Sequence, residues 1–72
     1  MDYHIIKISR NKKQYLDLLL LGDEQEIMVD RYLERGDLFV LEDNGIKAVG
    51  VVTKEGPKIC ELKNIAVTPI AQ

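Results

Sequence analysis

The side chains of this sequence that could do chemistry are few and scattered. Cys60 is the single cysteine. A thiol becomes a nucleophile beside a helix N-terminus, a histidine or a cationic cluster. None of these is visible around Cys60, so the residue reads as buried filler. His4, the single histidine, belongs to the type that titrates near neutral pH. Alone near a chain end, it reads as structural. Asp23, Glu24 and Glu26 could attract a cationic substrate, yet the helix dipole favours acidic residues in a first turn in any case. Leu18 to Leu21 read as core rather than a ligand groove. No set of residues has metal-ligand spacing, so no metal is expected.

The bulk numbers limit what these residues can serve. A 72-residue chain is one small domain or a piece of one. A chain of that size buries only about 60% of the surface its unfolded form exposes. The composition, 46% hydrophobic and 31% charged, is that of an ordinary soluble protein. A net charge of −2 and a pI near 5.3 offer no basic face for nucleic acid and none for an anionic membrane. One cysteine allows no internal disulfide, and Met1 to His4 do not begin a signal peptide. A cytoplasmic location is therefore expected.

The elements that must position the candidates follow from pattern. Residues 3–8 read as a strand with Ile6 and Ile8 on one face. Asn11 resembles an N-cap with Gln14 as its reciprocal partner. A helix through Tyr15 to Leu21 follows, with Gly22 as a left-handed stop. Asp23 opens a second helix, boxed by Glu26. Its Met28–Tyr32 and Val29–Leu33 pairs form an inward stripe, and Gly36 ends it. Residues 38–42 are a strand. Asn44-Gly45 is a hairpin signal, because a type I′ turn needs positive φ twice. Residues 46–54 form its partner strand, Glu55-Gly56-Pro57 a second turn, and residues 58–67 a third β segment, stopped by Pro69. The fold class is α+β, in the order β-α-α-β-β-β with an antiparallel meander at the end.

That order resembles the N-terminal half of the GNAT (acyl-CoA N-acyltransferase) fold. The resemblance covers essentially the whole chain. It rests on a glycine-containing apolar strand, Ala48-Val49-Gly50-Val51-Val52, followed by Glu61-Leu62-Lys63-Asn64-Ile65-Ala66-Val67-Thr68-Pro69. In the family a Gln or Arg and then a glycine-rich loop follow. Gln72 stands at the first of those positions. Residues 1–72 thus resemble a partial N-acetyltransferase domain, truncated before the pyrophosphate loop.

The resemblance implies acetyl transfer from acetyl-CoA to a primary amine of unknown identity. It implies that Ile65, Ala66 and Val67 pair with the pantetheine arm as an added strand does, and that Gln72 belongs to the cofactor-binding set. Helix N-termini with glycine-rich entries bind pyrophosphate through free amides, and none of the five glycines forms such a loop. The Val67 N–H is a candidate oxyanion donor, or an ordinary ladder donor. Glu61 matches a position where some family members place a general base. The reading that comes first for it, however, is a solvated strand carboxylate paired with Lys63 or Lys47. Two functions stay open: an acetyl-CoA-dependent enzyme, inactive as these residues alone, and a non-catalytic, self-associating fragment. Either way a homo-oligomer is expected, because residues 58–67 would leave an apolar strand at a sheet edge.

Overall fold

The computed structural model describes residues 3–69. Strand β1 (His4–Ile8) leads through a 3-10 turn (Lys12–Tyr15) into helix α1 (Leu16–Gly22) and helix α2 (Glu26–Leu33). Strands β2 (Asp37–Glu42), β3 (Ile46–Gly56) and β4 (Ile59–Val67) complete the order. The four strands form one antiparallel sheet in the order β1-β2-β3-β4. The expected β-α-α-β-β-β order and its meander are both present.

Strand alternation divides the sheet into two faces. Paired residues share a face, so Ile8, Leu38, Val51 and Asn64 form one row, and Ile6, Val40, Val49 and Ala66 the next. Both helices pack on these rows. Leu19 of α1 and Val29, Tyr32 and Leu33 of α2 join Leu38, Val40, Val49, Val51 and Ala66 in a buried core. Each such apolar side chain contributes about 1.5–3 kcal/mol on full burial. Met28, expected in the inward stripe, lies at the rim and is exposed. Leu21 is exposed too, so the leucine run is core through Leu19, with Leu18 and Leu20 packed at its margin.

The ends of the helices depart from the expected caps. Asn11 stands before the 3-10 turn in the left-handed region, φ 49°, and its side chain caps nothing. Asparagine tolerates that conformation because its short polar side chain bonds locally. Gln14 donates to Arg10 O and Asn11 O instead of closing a box. Asp23 does not open α2; it closes α1, its N–H donating to Leu19 O at 3.1 Å. Its Oδ1 accepts from Gln25 N–H, and Gln25 is the residue that precedes α2. Glu26 turns outward to Lys13. Gly36 closes α2 as expected, its N–H donating to Tyr32 O at 2.8 Å, and the Lys12 ammonium donates to Leu33 O, Glu34 O and Gly36 O at 2.8–3.1 Å. Carbonyls orphaned at a helix C-terminus need such donors, and a cation there also suits the dipole.

The hairpins are close to expectation. Asn44 and Gly45 both have positive φ, 54° and 114°, in a loop that also includes Asp43. The extra residue leaves a bulge between Leu41 and Glu42. Strand β3 runs on to Gly56, so the second turn is Pro57-Lys58 rather than Glu55 to Pro57. A second bulge interrupts β4 at Lys63, since Val51 pairs Asn64 but Val52 pairs Leu62. Cys60, expected as filler, is exposed on β4. It pairs with Lys54, one residue on from the buried Thr53, and so points to the face away from the helices.

Gly22 is not a left-handed stop, because the residue after α1 is Asp23 in an extended conformation. Its need for glycine is steric. A Cβ there would overlap Asn64 Oδ1 and come within 2.9 Å of Ile65 O. Gly50 has no such constraint, its nearest neighbour being Asn64 O at 3.7 Å. Gly22→Ala is expected to destabilise the chain by about 1–3 kcal/mol through overpacking. Gly50→Ala should be neutral or stabilising by about 0.5–1 kcal/mol, since it removes glycine's excess freedom. Urea denaturation of both variants checks this, and equal losses at the two positions would contradict it.

Candidate functional site: the β4 edge and the open sheet face

Strand β4 is an edge strand with β3 on one side. Thr68 N–H donates to Lys47 O at 2.8 Å, continuing the register that pairs Val67 with Ala48 and Ala66 with Val49. Antiparallel pairs alternate between bonded and non-bonded. Asn64, Ala66 and Thr68 therefore bond inward to β3, and Ile65 turns its N–H and C=O to the outer edge. Val67 shares that outward parity and is engaged in an interaction of its own. Of the cofactor-binding residues expected from sequence, Ile65, Ala66 and Val67 are thus consecutive on the edge strand, with alternate backbone directions. Gln72 lies outside the described residues.

The side chains of Ile65 and Val67 point to the face away from the helices. That face also carries Ile5, Phe39, Leu41, Ala48, Gly50 and Val52, by the same pairing. It is uncovered: Ile5 is 75% exposed and Ile65 63%. Gly50 leaves a dip between Phe39 and Ile65. At the β2–β3 turn, Tyr3, Leu41, Asp43, Lys47, Ala48 and Val67 line a half-open hollow of about 590 Å³. Its floor is apolar and its charged groups sit at the turn, which suits an uncharged or amphipathic occupant.

Glu61 faces Thr53 across the ladder and accepts from the Lys63 ammonium at 2.9 Å. The ion-pair reading of Glu61 with Lys63 is the contact observed; Lys47 stands near the other end of the sheet. Glu61 is six residues from Val67, about 20 Å along a strand. The two cannot address one acetyl group directly. A base at Glu61 would work through a chain of waters. Close by, Glu55 accepts from the Thr53 hydroxyl at 2.6 Å and from Arg35 at 2.8 Å. The Thr53 hydrogen bond, then Arg35, holds its carboxyl below the usual range. His4 is exposed on β1, opposite Glu42, and is brought to none of these groups.

The sequence reading missed Asn64 and Tyr32. Asn64 is 4% exposed. Its Nδ2 donates to Leu19 O and to Tyr32 Oη, both at 2.9 Å. Tyr32 O–H donates on to Asp23 Oδ2 at 3.3 Å. Asn64 Oδ1 is the buried side-chain oxygen without a hydrogen-bond partner among the described residues. It faces Gly22, whose Cα hydrogen points at it in a weak C–H···O contact. An asparagine on the helix-facing parity of an apolar strand was the available signal. Among the described residues no group of three or more His, Cys, Asp or Glu could hold a metal. No helix there is long and apolar enough to cross a membrane.

Comparison with known proteins gives relatives of one kind. The chain is 42% identical over 52 residues to the uncharacterized N-acetyltransferase YvbK of Bacillus subtilis strain 168, covering 71% of this chain and 34% of that protein. Among solved structures, it is similar to an acetyltransferase of Bacillus subtilis in complex with CoA, at 33% identity and TM-score 0.86. A GNAT family acetyltransferase from Elizabethkingia anophelis with acetyl-CoA bound matches at 31% identity and TM-score 0.88. An IAA acetyltransferase from Bacillus cereus ATCC 14579 matches at 32% identity and TM-score 0.84. These structures cover 97–99% of this chain, and the chain spans 46–47% of theirs. No protein-family profile matches the chain.

The Tyr32 phenol is held above its ordinary pKa, first by burial and then by the Asp23 carboxylate, against a lowering by Asn64. The unfolded chain then loses this proton first, near pH 10. Between the unfolded and folded pKa values the folded state binds more protons, so stability falls as pH rises. Denaturation midpoints should therefore decline above about pH 10. Tyr32→Phe should be less stable at pH 8 but show a shallower decline. An unchanged alkaline slope in that variant would contradict the buried phenol.

Proposed function

The chain belongs to the GNAT superfamily of acetyltransferases, and from that membership we propose that the whole protein transfers acetyl from acetyl-CoA to a primary amine. The observation that carries the reading is the outward backbone of Ile65 on edge strand β4. The pantetheine arm of acetyl-CoA contains two secondary amides. Such groups add to a sheet edge as an extended peptide does. Ile65, Ala66 and Val67 would hold the arm, with Gln72 next in the cofactor-binding set. The exposed apolar side chains of Ile65 and Val67 would flank it.

Transfer requires a neutral amine, and the bond it forms to the thioester carbonyl expels the CoA thiolate. The oxyanion formed on the way needs a fixed donor. Glu61 takes the proton from the amine through water. In the full-length protein, Glu61→Gln should lower kcat by about 10²-fold, the scale of a lost general base. The dissociation constant for acetyl-CoA should move less than threefold. Steady-state kinetics with a panel of primary amines and calorimetry with acetyl-CoA separate the two. Unchanged turnover would return Glu61 to its ion pair with Lys63.

The uncovered sheet face and the position of β4 at the sheet edge favour a second reading for residues 1–72 on their own. Among the described residues no glycine stands at a helix N-terminus, so the pyrophosphate would lack a cradle of amides. An apolar edge strand invites pairing with another chain. Residues 1–72 produced alone should self-associate through β4 or the open face and show no saturable micromolar binding of acetyl-CoA. Light scattering and calorimetry test both points. A stable monomer at high concentration would count against self-association, and tight saturable binding against the missing cradle.

A further inference from the structure

Ile65 lies in a precarious part of the sheet. It follows the bulge at Lys63, where the ladder is broken and the local twist increases. It lies on an edge strand, so β3 supports it from one side only. Yet the pairing proposed for acetyl-CoA requires its N–H and C=O at fixed positions. Misplacement of about 1 Å costs heavily in a preorganised site. The ladder alone does not supply that fixity beside a bulge.

Asn64 is the first residue after the bulge, and it is anchored from inside the fold. Both hydrogens of its amide are used, one on Leu19 O near the end of α1 and one on Tyr32 Oη of α2. Tyr32 is braced in turn by Asp23. The same residue sets how near α1 comes, because Gly22 rests against Asn64 Oδ1 and Ile65 O. The Ile65 carbonyl is thus located by α1 on one side and by the Asn64 anchor on the other.

We propose that Asn64, braced by Tyr32 and Asp23, is a positioning residue that fixes the Ile65 edge of β4 for acetyl-CoA. The proposal rests on the acetyl-CoA reading given above. Asn64 touches no substrate; it acts through the backbone of its neighbour. Removing its amide leaves Tyr32 Oη without its donor and frees the segment after the bulge to shift. The loss therefore appears in cofactor affinity, beyond any loss of stability.

The test is calorimetric titration of the full-length protein with acetyl-CoA, alongside thermal midpoints. Asn64→Ala should raise the dissociation constant about tenfold, the affinity equivalent of one buried hydrogen bond. Tyr32→Phe keeps the bond to Leu19 O and should raise it by a smaller factor. Val29→Ala is the control: it opens a cavity in the same core but takes away none of the hydrogen bonds that hold Asn64, so its midpoint should fall while its affinity holds. If Asn64→Ala fails to fold, Tyr32→Phe decides. Unmoved affinity in the folded Asn64 and Tyr32 variants, or an equal loss in Val29→Ala, would overturn the positioning role. A wild-type protein that does not bind acetyl-CoA would instead remove the acetyl-CoA reading, and this inference with it.

Discussion

The buried amide nitrogen of Asn64 on an edge strand needs acceptors for both its hydrogens, and much of this fold is arranged around supplying them. An unpaired buried polar group costs about 1–3 kcal/mol, a large share of what a chain this short has in reserve. Asn64 finds its partners in an α1 carbonyl and in a phenol of α2, so one side chain joins both helices to β4. Gly22 follows from this: α1 must approach closely enough for Leu19 O to be reached, and a Cβ at residue 22 would block it. Asp23 follows too, since it closes α1 and accepts from Tyr32. The break between the helices sits beside that anchor.

The two faces of the sheet have opposite fates. The helix face is filled by Leu19, Val29, Leu33, Leu38, Val40 and Val51, each nearly or wholly buried. The other face keeps Ile5, Ile65 and Leu62 in contact with solvent. Large exposed apolar patches mark surfaces that meet something else, and the relatives are about twice as long as this chain. Gly50 fits the same picture. Its nearest neighbour is Asn64 O at 3.7 Å, so the described residues leave room for a side chain there.

Charges contribute unevenly. The Lys13, Arg35 and Lys63 pairs are all open to solvent on at least one partner, and such surface pairs are worth about 0–1 kcal/mol each. Lys12 differs because it gives donors to three carbonyls that the helix end leaves unpaired. Glu61 belongs with the surface pairs by geometry. Any catalytic role it has depends on water reaching between it and the β4 edge.

Periodicity by itself determined the elements of this protein and their order. Alternation and turn chemistry gave the strands, because side-chain parity and positive φ are local properties. Asn44-Gly45 forms its turn whatever packs around it. The β4 segment from Glu61 to Pro69 carried the family resemblance, again as a contiguous stretch. What the tertiary structure decided were the non-local partners. Asn11 and Asp23 look like caps in sequence, but a cap depends on where the chain goes next, and Tyr15 and Gln25 are the residues that precede α1 and α2. Gly22 looks like a stop and is a contact surface for residues 42 and 43 positions away. Asn64 looks like one polar residue in an apolar strand. Only folding brings it against Leu19 and Tyr32, because hydrogen bonds between distant residues leave no period in the sequence to be read.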